Sequence, residues 1–126
     1  YQEKVKKALE ILKRKDFVYL HIEAPDEAGH LGDINLKIKA IEDFDKNVVG
    51  PILDYQRKNN NIHVMVLPDH PTPCSLKTHT CDPVPFAIYY ANIGKGSNLE
   101  YSEKEAAKSD LSFKFSWDLL KYFLQK

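Results

Sequence analysis

The chain has 126 residues, 43% of them apolar and 11% aromatic, with 18 Lys and Arg balanced by 18 Asp and Glu. That length and apolar content suit one domain with a hydrophobic core and argue against disorder, and zero net charge removes the electrostatic drive toward nucleic acid or an anionic membrane. A mean hydropathy of −0.46, with no apolar run near the roughly 18 residues of a membrane span, excludes a transmembrane helix.

Tyr1 stands where a methionine would begin a gene product, and a charged stretch without an apolar run follows it. This predicts a piece of a longer chain with no signal peptide. Residues 1–16 read as a helix, with Val5, Leu9 and Leu12 at intervals of four and three, widened by Ala8 and Ile11. Residues 17–23, FVYLHIE, form a nearly continuous apolar run that suits a strand covered on both faces, as in parallel sheets. The next stretch, APDEAGHLGD, carries Pro25, Gly29 and Gly32 and reads as a loop.

Asp33 is placed to cap a helix running to about Lys58, along which Ile34, Ile38, Ile41, Phe44, Val48, Ile52 and Tyr55 form one stripe. Pro51 falls inside it and predicts a kink or break. The triplet Asn59, Asn60, Asn61 reads as a turn, and 62–67 as a second buried strand. A long segment with five prolines and no periodicity leads to a third short strand over 85–90. Two short helices are expected near 103–109 and 116–125, the second with Ser116 as N-cap. The order implies an α/β fold with a parallel-sheet layered core, residues 1–126 forming a single partial domain.

Ligands of open α/β sheets gather at the carboxyl ends of the strands. Asp26 and His30 follow the first strand, Asp69 and His70 the second, and His79 lies in the loop before the third. Carboxylate oxygens and imidazole nitrogens collected at one rim are the donors of a hydrolytic or phosphoryl-transfer metal site, and they suit Mn, Zn, Fe or Mg. His21 and His63 lie inside strands and read as packed or edge histidines. Cys74 and Cys81 form a C-x6-C pair, which is not the spacing of a zinc finger, so they read as reduced thiols. Gly29 lets the chain turn so that Asp26 and His30 converge. Pro68, Pro83 and Pro85 stiffen the flanks of the ligands. Lys77, beside His79, reads as a solvated loop lysine.

These motifs are recognisable. A-P-D-E-A-G-H-L-G-D after one strand, P-D-H after the next, and K-T-H-T-C-D-P-V-P-F resemble the C-terminal part of the cofactor-independent phosphoglycerate mutases. The resemblance is nearest to the archaeal-type branch, within the alkaline phosphatase superfamily, and it covers the chain from about Ala8 to the last helix. It implies two divalent ions, manganese above all. Asp26, His30 and His79 would hold one. Asp69 and His70 would hold the other, with ligands from elsewhere in the protein. It also implies a soluble, cytoplasmic enzyme of glycolysis acting on a small phosphorylated metabolite, with no bisphosphoglycerate cofactor.

In that family a serine on a strand-to-helix turn accepts the phosphoryl group and returns it to the neighbouring hydroxyl, interconverting 3- and 2-phosphoglycerate. The family places this serine, and an aspartate of the second metal site, N-terminal to the residues matched here. Only Ser75 lies near a ligand, between prolines and without an elbow to activate it, so no catalytic nucleophile is assigned within the chain. The segment that binds the substrate carboxylate in the family has no counterpart here either. The chain alone is therefore expected to lack turnover while retaining metal ligands. Two further readings share the same rim: another superfamily enzyme, such as a phosphatase, phosphopentomutase or phosphonate hydrolase, and a non-catalytic metal-binding domain.

Overall fold

The apolar run that opens the expected sheet is where sequence and structure part first. In the computed structural model, which describes residues 1–91 and 96–125, residues 17–23 are extended but belong to no ladder. They keep the period of a strand. Val18, Leu20 and Ile22 are partly covered, whereas Phe17, Tyr19, His21 and Glu23 face outward, Tyr19 at 67% exposure.

The pairing that does form, among the described residues, joins β1 (Val64–Val66) to β2 (Ala87–Tyr89). It is antiparallel, with Val64 opposite Tyr89, Met65 opposite Ile88 and Val66 opposite Ala87. The expected parallel-sheet core is not seen among the described residues, where the ladder that forms is antiparallel. An apolar run encodes burial, not the identity of the strand it will bond, and that choice is made by tertiary structure. The ladder extends in spirit to His63, whose Nδ1 accepts from the Ala91 amide at 3.0 Å.

Helix α1 (Gln2–Leu12) buries Val5 and Ala8 and packs on the helical segment 45–59. The stretch expected as a loop is instead helix α2 (Ala24–Leu31). Pro25 sits in its first turn, where a missing N–H costs nothing, and Asp26 and Glu27 suit the positive end of the helix. Gly32 closes it in the left-handed conformation, φ 74°. The punctuation that reads as loop is therefore the start and stop of a short helix.

Asp33 caps α3 (Ile34–Phe44) as expected, accepting from the Leu36 amide at 2.9 Å. The break foreseen at Pro51 is realised upstream of it, as a π-helical turn over Asp45–Val49. Proline withdraws a donor and crowds the carbonyl four residues back. The wider turn absorbs both, and α4 (Gly50–Asn59) restarts with Pro51 in its first turn. Asn60, left-handed at φ 47°, ends it within the expected turn.

Helix α5 (Glu103–Ala106) is capped by Ser102, and α6 (Ser116–Leu124) buries Leu119. Ser116 is the first helical residue and not the cap; that place belongs to Phe115. Aromatic contacts tie α6 back to the strand region through Phe86–Phe113–Tyr122 and Tyr90–Phe123. Tyr101 donates its hydroxyl to the Pro85 carbonyl at 3.2 Å. Burial of that hydroxyl end, with Glu103 nearby, raises it to about 12 although the ring is half exposed.

The core is small: Val5, Ala8, Ala28, Ala40, Val48 and Leu119. The accessible surface is 9486 Å², against about 6,900 Å² for a self-contained globular monomer of this mass. Part of the excess is apolar. Leu31, Ile34, Ile38 and Ile41 are each at least half exposed, so the upstream half of the long stripe faces outward.

Candidate metal centre

Asp26 and His30 are four residues apart on α2, so the helix presents both on one face. His70 and His79 come from the irregular segment that follows β1. The helix and this segment touch at backbone distance. Gly29, buried on α2, faces Thr72, and a Cβ there would collide with the Thr72 carbonyl oxygen and lie 2.9 Å from its methyl group. Lys37 of α3 clasps the same carbonyl oxygen through Nζ at 2.5 Å. The segment holds itself by two backbone turns: the Pro73 carbonyl accepts from Leu76 and Lys77, and the Pro71 carbonyl accepts from Thr80 at 3.1 Å.

All five residues singled out from sequence fall in one cluster. His30 Nε2 lies 3.0 Å from His79 Nε2 and 3.4 Å from Asp26 Oδ2. His79 Nε2 is 3.4 Å from Asp26 Oδ1. The His70 ring stacks on that of His79 with centroids 3.7 Å apart, and its Nδ1 is 4.0 Å from Asp26 Oδ1. Asp69 stands outermost, with Oδ2 3.6 Å from His70 Nε2. The two ligand sets implied by the resemblance are contiguous: donors of Asp26, His70 and His79 all lie within 4.8 Å of one another.

These spacings fit a divalent cation. Two donors each about 2.1 Å from one ion stand about 3.0 Å apart at an octahedral angle and about 3.4 Å at a tetrahedral one. His30 Nε2 and His79 Nε2 are 3.0 Å apart, and each lies 3.4 Å from a different oxygen of the Asp26 carboxylate, Oδ2 and Oδ1 respectively. The donors are hard oxygen and borderline nitrogen, and the charge state is right. A hydrogen bond from the Thr72 hydroxyl holds the Asp26 carboxyl below its usual value, against a smaller opposing effect of burial, and the three histidines reinforce the lowering. Asp26 is a carboxylate at neutral pH.

Thr72 is the residue that sequence reading missed. It is 4% exposed, its hydroxyl donates to Asp26 Oδ1, and the same oxygen lies 3.3 Å from His70 Nδ1. The available signal was its position: a threonine between two prolines, two residues after a ligand, has little backbone freedom and is well placed to hold its neighbours. Ser75 is exposed and takes part in no contact described at the cluster. His21 and His63 lie outside the cluster, and the expected placement inside strands is corrected: neither residue belongs to one, His63 preceding β1 and His21 lying in an unpaired extended run 3.9 Å from Glu23. Both cysteines are free thiols.

Comparison with known proteins places the chain in a family. The profile of the metalloenzyme superfamily matches residues 1–112. The 2,3-bisphosphoglycerate-independent phosphoglycerate mutase of Methanosarcina mazei is 51% identical over 110 residues, covering 86% of this chain and 28% of that protein. Its counterpart in Methanothrix thermoacetophila is 45% identical over 125 residues, covering 98% of this chain and 32% of that one. The solved structure of the PH0037 protein from Pyrococcus horikoshii superposes with a TM-score of 0.88 at 33% identity, over 98% of this chain and 37% of that chain. The chain spans about a third or less of the length of these curated relatives. Its sequence resembles the archaeal-type cofactor-independent phosphoglycerate mutases, and the chain belongs to the metalloenzyme superfamily.

Proposed function

We propose that this chain is the C-terminal, metal-ligand-bearing portion of a cofactor-independent phosphoglycerate mutase that interconverts 3- and 2-phosphoglycerate through a phosphoserine intermediate. The observation that carries the reading is the convergence of Asp26, His30, Asp69, His70 and His79 from two distant segments, with His30 and His79 each 3.4 Å from a carboxylate oxygen of Asp26 and donors of Asp26, His70 and His79 all within 4.8 Å of one another. The large accessible surface and the short span relative to the relatives support a partial domain. A cytoplasmic place in glycolysis goes with the reading.

Within it, Asp26 supplies a fixed negative charge, kept ionised by Thr72. His30 and His79 supply neutral nitrogen donors from opposite sides. Asp69 and His70 offer half of a second set. Divalent ions bound there, manganese first among them, would polarise the phosphoryl oxygens and stabilise the charge that develops during transfer. The serine that accepts the phosphoryl group belongs to the part of the enzyme that this chain does not include.

The test has two halves. Titration of Mn²⁺ into the chain by calorimetry should show binding that His30→Ala and His79→Ala each weaken by at least about tenfold. Identical binding by all three proteins would remove the site. The chain alone should give no phosphoglycerate interconversion, whereas the protein that carries it together with its nucleophilic serine should turn over without added bisphosphoglycerate. Turnover by the isolated chain would overturn the assignment of the nucleophile.

A further inference from the structure

Two residues with left-handed backbones meet beside His30. Gly32, at φ 74°, closes α2. Lys77, at φ 55°, closes the turn that starts at Pro73, whose carbonyl accepts from the amides of Leu76 at 3.0 Å and Lys77 at 2.9 Å. The lysine stem crosses the bare face of Gly32: a Cβ built there would collide with Lys77 Cε and stand 3.1 Å from Nζ. The turn thereby leans on the end of the helix that carries Asp26 and His30.

In this position the Lys77 carbonyl oxygen lies 3.0 Å from His30 Nδ1. A carbonyl only accepts, so the ring hydrogen sits on Nδ1. A neutral His30 then carries its lone pair on Nε2, the atom that faces Asp26 and His79. A lysine at positive φ is uncommon, because its Cβ is crowded there, and it persists only where the surroundings impose it. Here the surroundings are the Pro73 turn on one side and Gly32 on the other.

We propose that Lys77 is a positioning residue: its peptide, held left-handed, fixes His30 as the Nδ1–H tautomer and so makes Nε2 the donor offered to a divalent cation. The purpose of that donor rests on the metal-binding reading; the tautomer is a property of the chain itself. Orientation of a ligand imidazole by a carbonyl on its other nitrogen is worth about 10–100-fold in metal affinity where it has been tested. A companion consequence follows at His79. Only one hydrogen fits between the two Nε2 atoms 3.0 Å apart, so with the cation stripped His79 is the Nε2–H tautomer when His30 is the Nδ1–H one.

The experiment is long-range ¹⁵N–¹H NMR of the histidine rings in chelator-treated chain, beside Mn²⁺ titration, for the unchanged protein, Lys77→Gly and Lys77→Val. Both substitutions remove the stem, but glycine keeps easy access to positive φ and valine does not. The unchanged chain and Lys77→Gly should show His30 as Nδ1–H and His79 as Nε2–H. Lys77→Val should show mixed His30 tautomers and at least about tenfold weaker Mn²⁺ binding than Lys77→Gly. A His30 that is Nε2–H in the unchanged chain overturns the proposal, as do Val and Gly variants that match in tautomer and affinity. Should Lys77→Val fail to fold, Lys77→Asn, which tolerates the left-handed region, must still reproduce the unchanged ring signature. If the tautomers are as expected and no protein binds Mn²⁺, the positioning role stands and the metal reading falls.

Discussion

The rim formed by α2 and the segment 69–80 is tied together by contacts between residues more than forty apart in sequence: Thr72 to Asp26, Lys77 to His30, and His30 to His79. The flank formed by residues 17–23 and the outer face of α3 has the opposite character. There an apolar strand-like run belongs to no ladder, and Leu31, Ile34, Ile38 and Ile41 stand at least half exposed. Contiguous apolar exposure of that kind is rare on self-contained monomers and marks a surface meant to be covered. The polar rim is thus tied together by contacts within this chain, while the apolar flank is left uncovered. The candidate ligands are held in place by these long-range contacts between α2 and the segment 69–80, independently of the two-stranded sheet.

The sharpest way to break this contrast is Gly29→Ala. In a helix interior such a change normally gains about 1 kcal/mol. Here the new methyl group meets the Thr72 backbone carbonyl, which Lys37 also holds, and cannot be accommodated by a rotamer change. Overpacking typically costs about 1–3 kcal/mol, so the clash wins and the rim should open. Urea unfolding should show net destabilisation, and Mn²⁺ binding should weaken with it. A stabilised variant with intact binding would mean that helix and loop are not in backbone contact.

Thr72→Val probes the polar side of the same junction. The shape is kept and the hydroxyl is lost, leaving Asp26 without its donor. A loss of about 1 kcal/mol is expected, below the about 1.5–3 kcal/mol usual for a hydrogen bond to a charged group because water reaches Asp26. Thr72→Ser should restore most of it. The pH dependence gives the sign. A carboxyl held below its usual value contributes stability that is present above the ordinary carboxylate range and lost as pH falls through the lowered value. In chelated protein, the deficit of Thr72→Val should therefore be full at neutral pH and close as pH falls through the lowered value, so its acid limb is shallower than that of the unchanged chain. A deficit that stays constant with pH would show that the hydroxyl does not set the Asp26 charge.

The smallest effect is expected on the flank. Ile38→Lys, on the exposed face of α3, should change unfolding free energy by no more than about 0.5 kcal/mol. It should lower concentration-dependent self-association in sedimentation runs. A loss of several kcal/mol would place Ile38 in a core and erase the difference between the two regions.

How much of this was readable in advance follows the same division. The five candidate ligands could be found because Asp and His just past an apolar run are conspicuous, and because their order along the chain resembles a known pattern. Asp33 as a cap and Pro51 as a disruption were equally local, set by one side chain acting on nearby backbone. Helix α2 was not readable as a helix, since Pro25, Gly29 and Gly32 serve as loop signals and as helix start, contact point and stop alike. Only tertiary contact with Thr72 distinguishes the two uses of Gly29. Thr72 and the Lys77 carbonyl act across more than forty residues, and nothing in the composition of either end announces the other. The partner of the run 17–23 was beyond reach for a further reason: hydrogen bonding in sheets is satisfied by any strand of suitable register.

The π-helical turn at Asp45–Val49 has an effect on the surface as well as on Pro51. Each residue in a π turn advances around the axis by less than in an α-helix, so five of them put the following helix out of phase with the preceding one. The apolar stripe that runs unbroken from Ile34 to Tyr55 in the sequence is consequently split between two directions. Beyond the start of the turn, Val48 is buried and Ile52 and Tyr55 are partly covered in the segment that packs on α1, while Ile34, Ile38 and Ile41 upstream are exposed. One helical stretch thereby presents two faces, an inner lining for this chain and an outer apolar surface open to solvent.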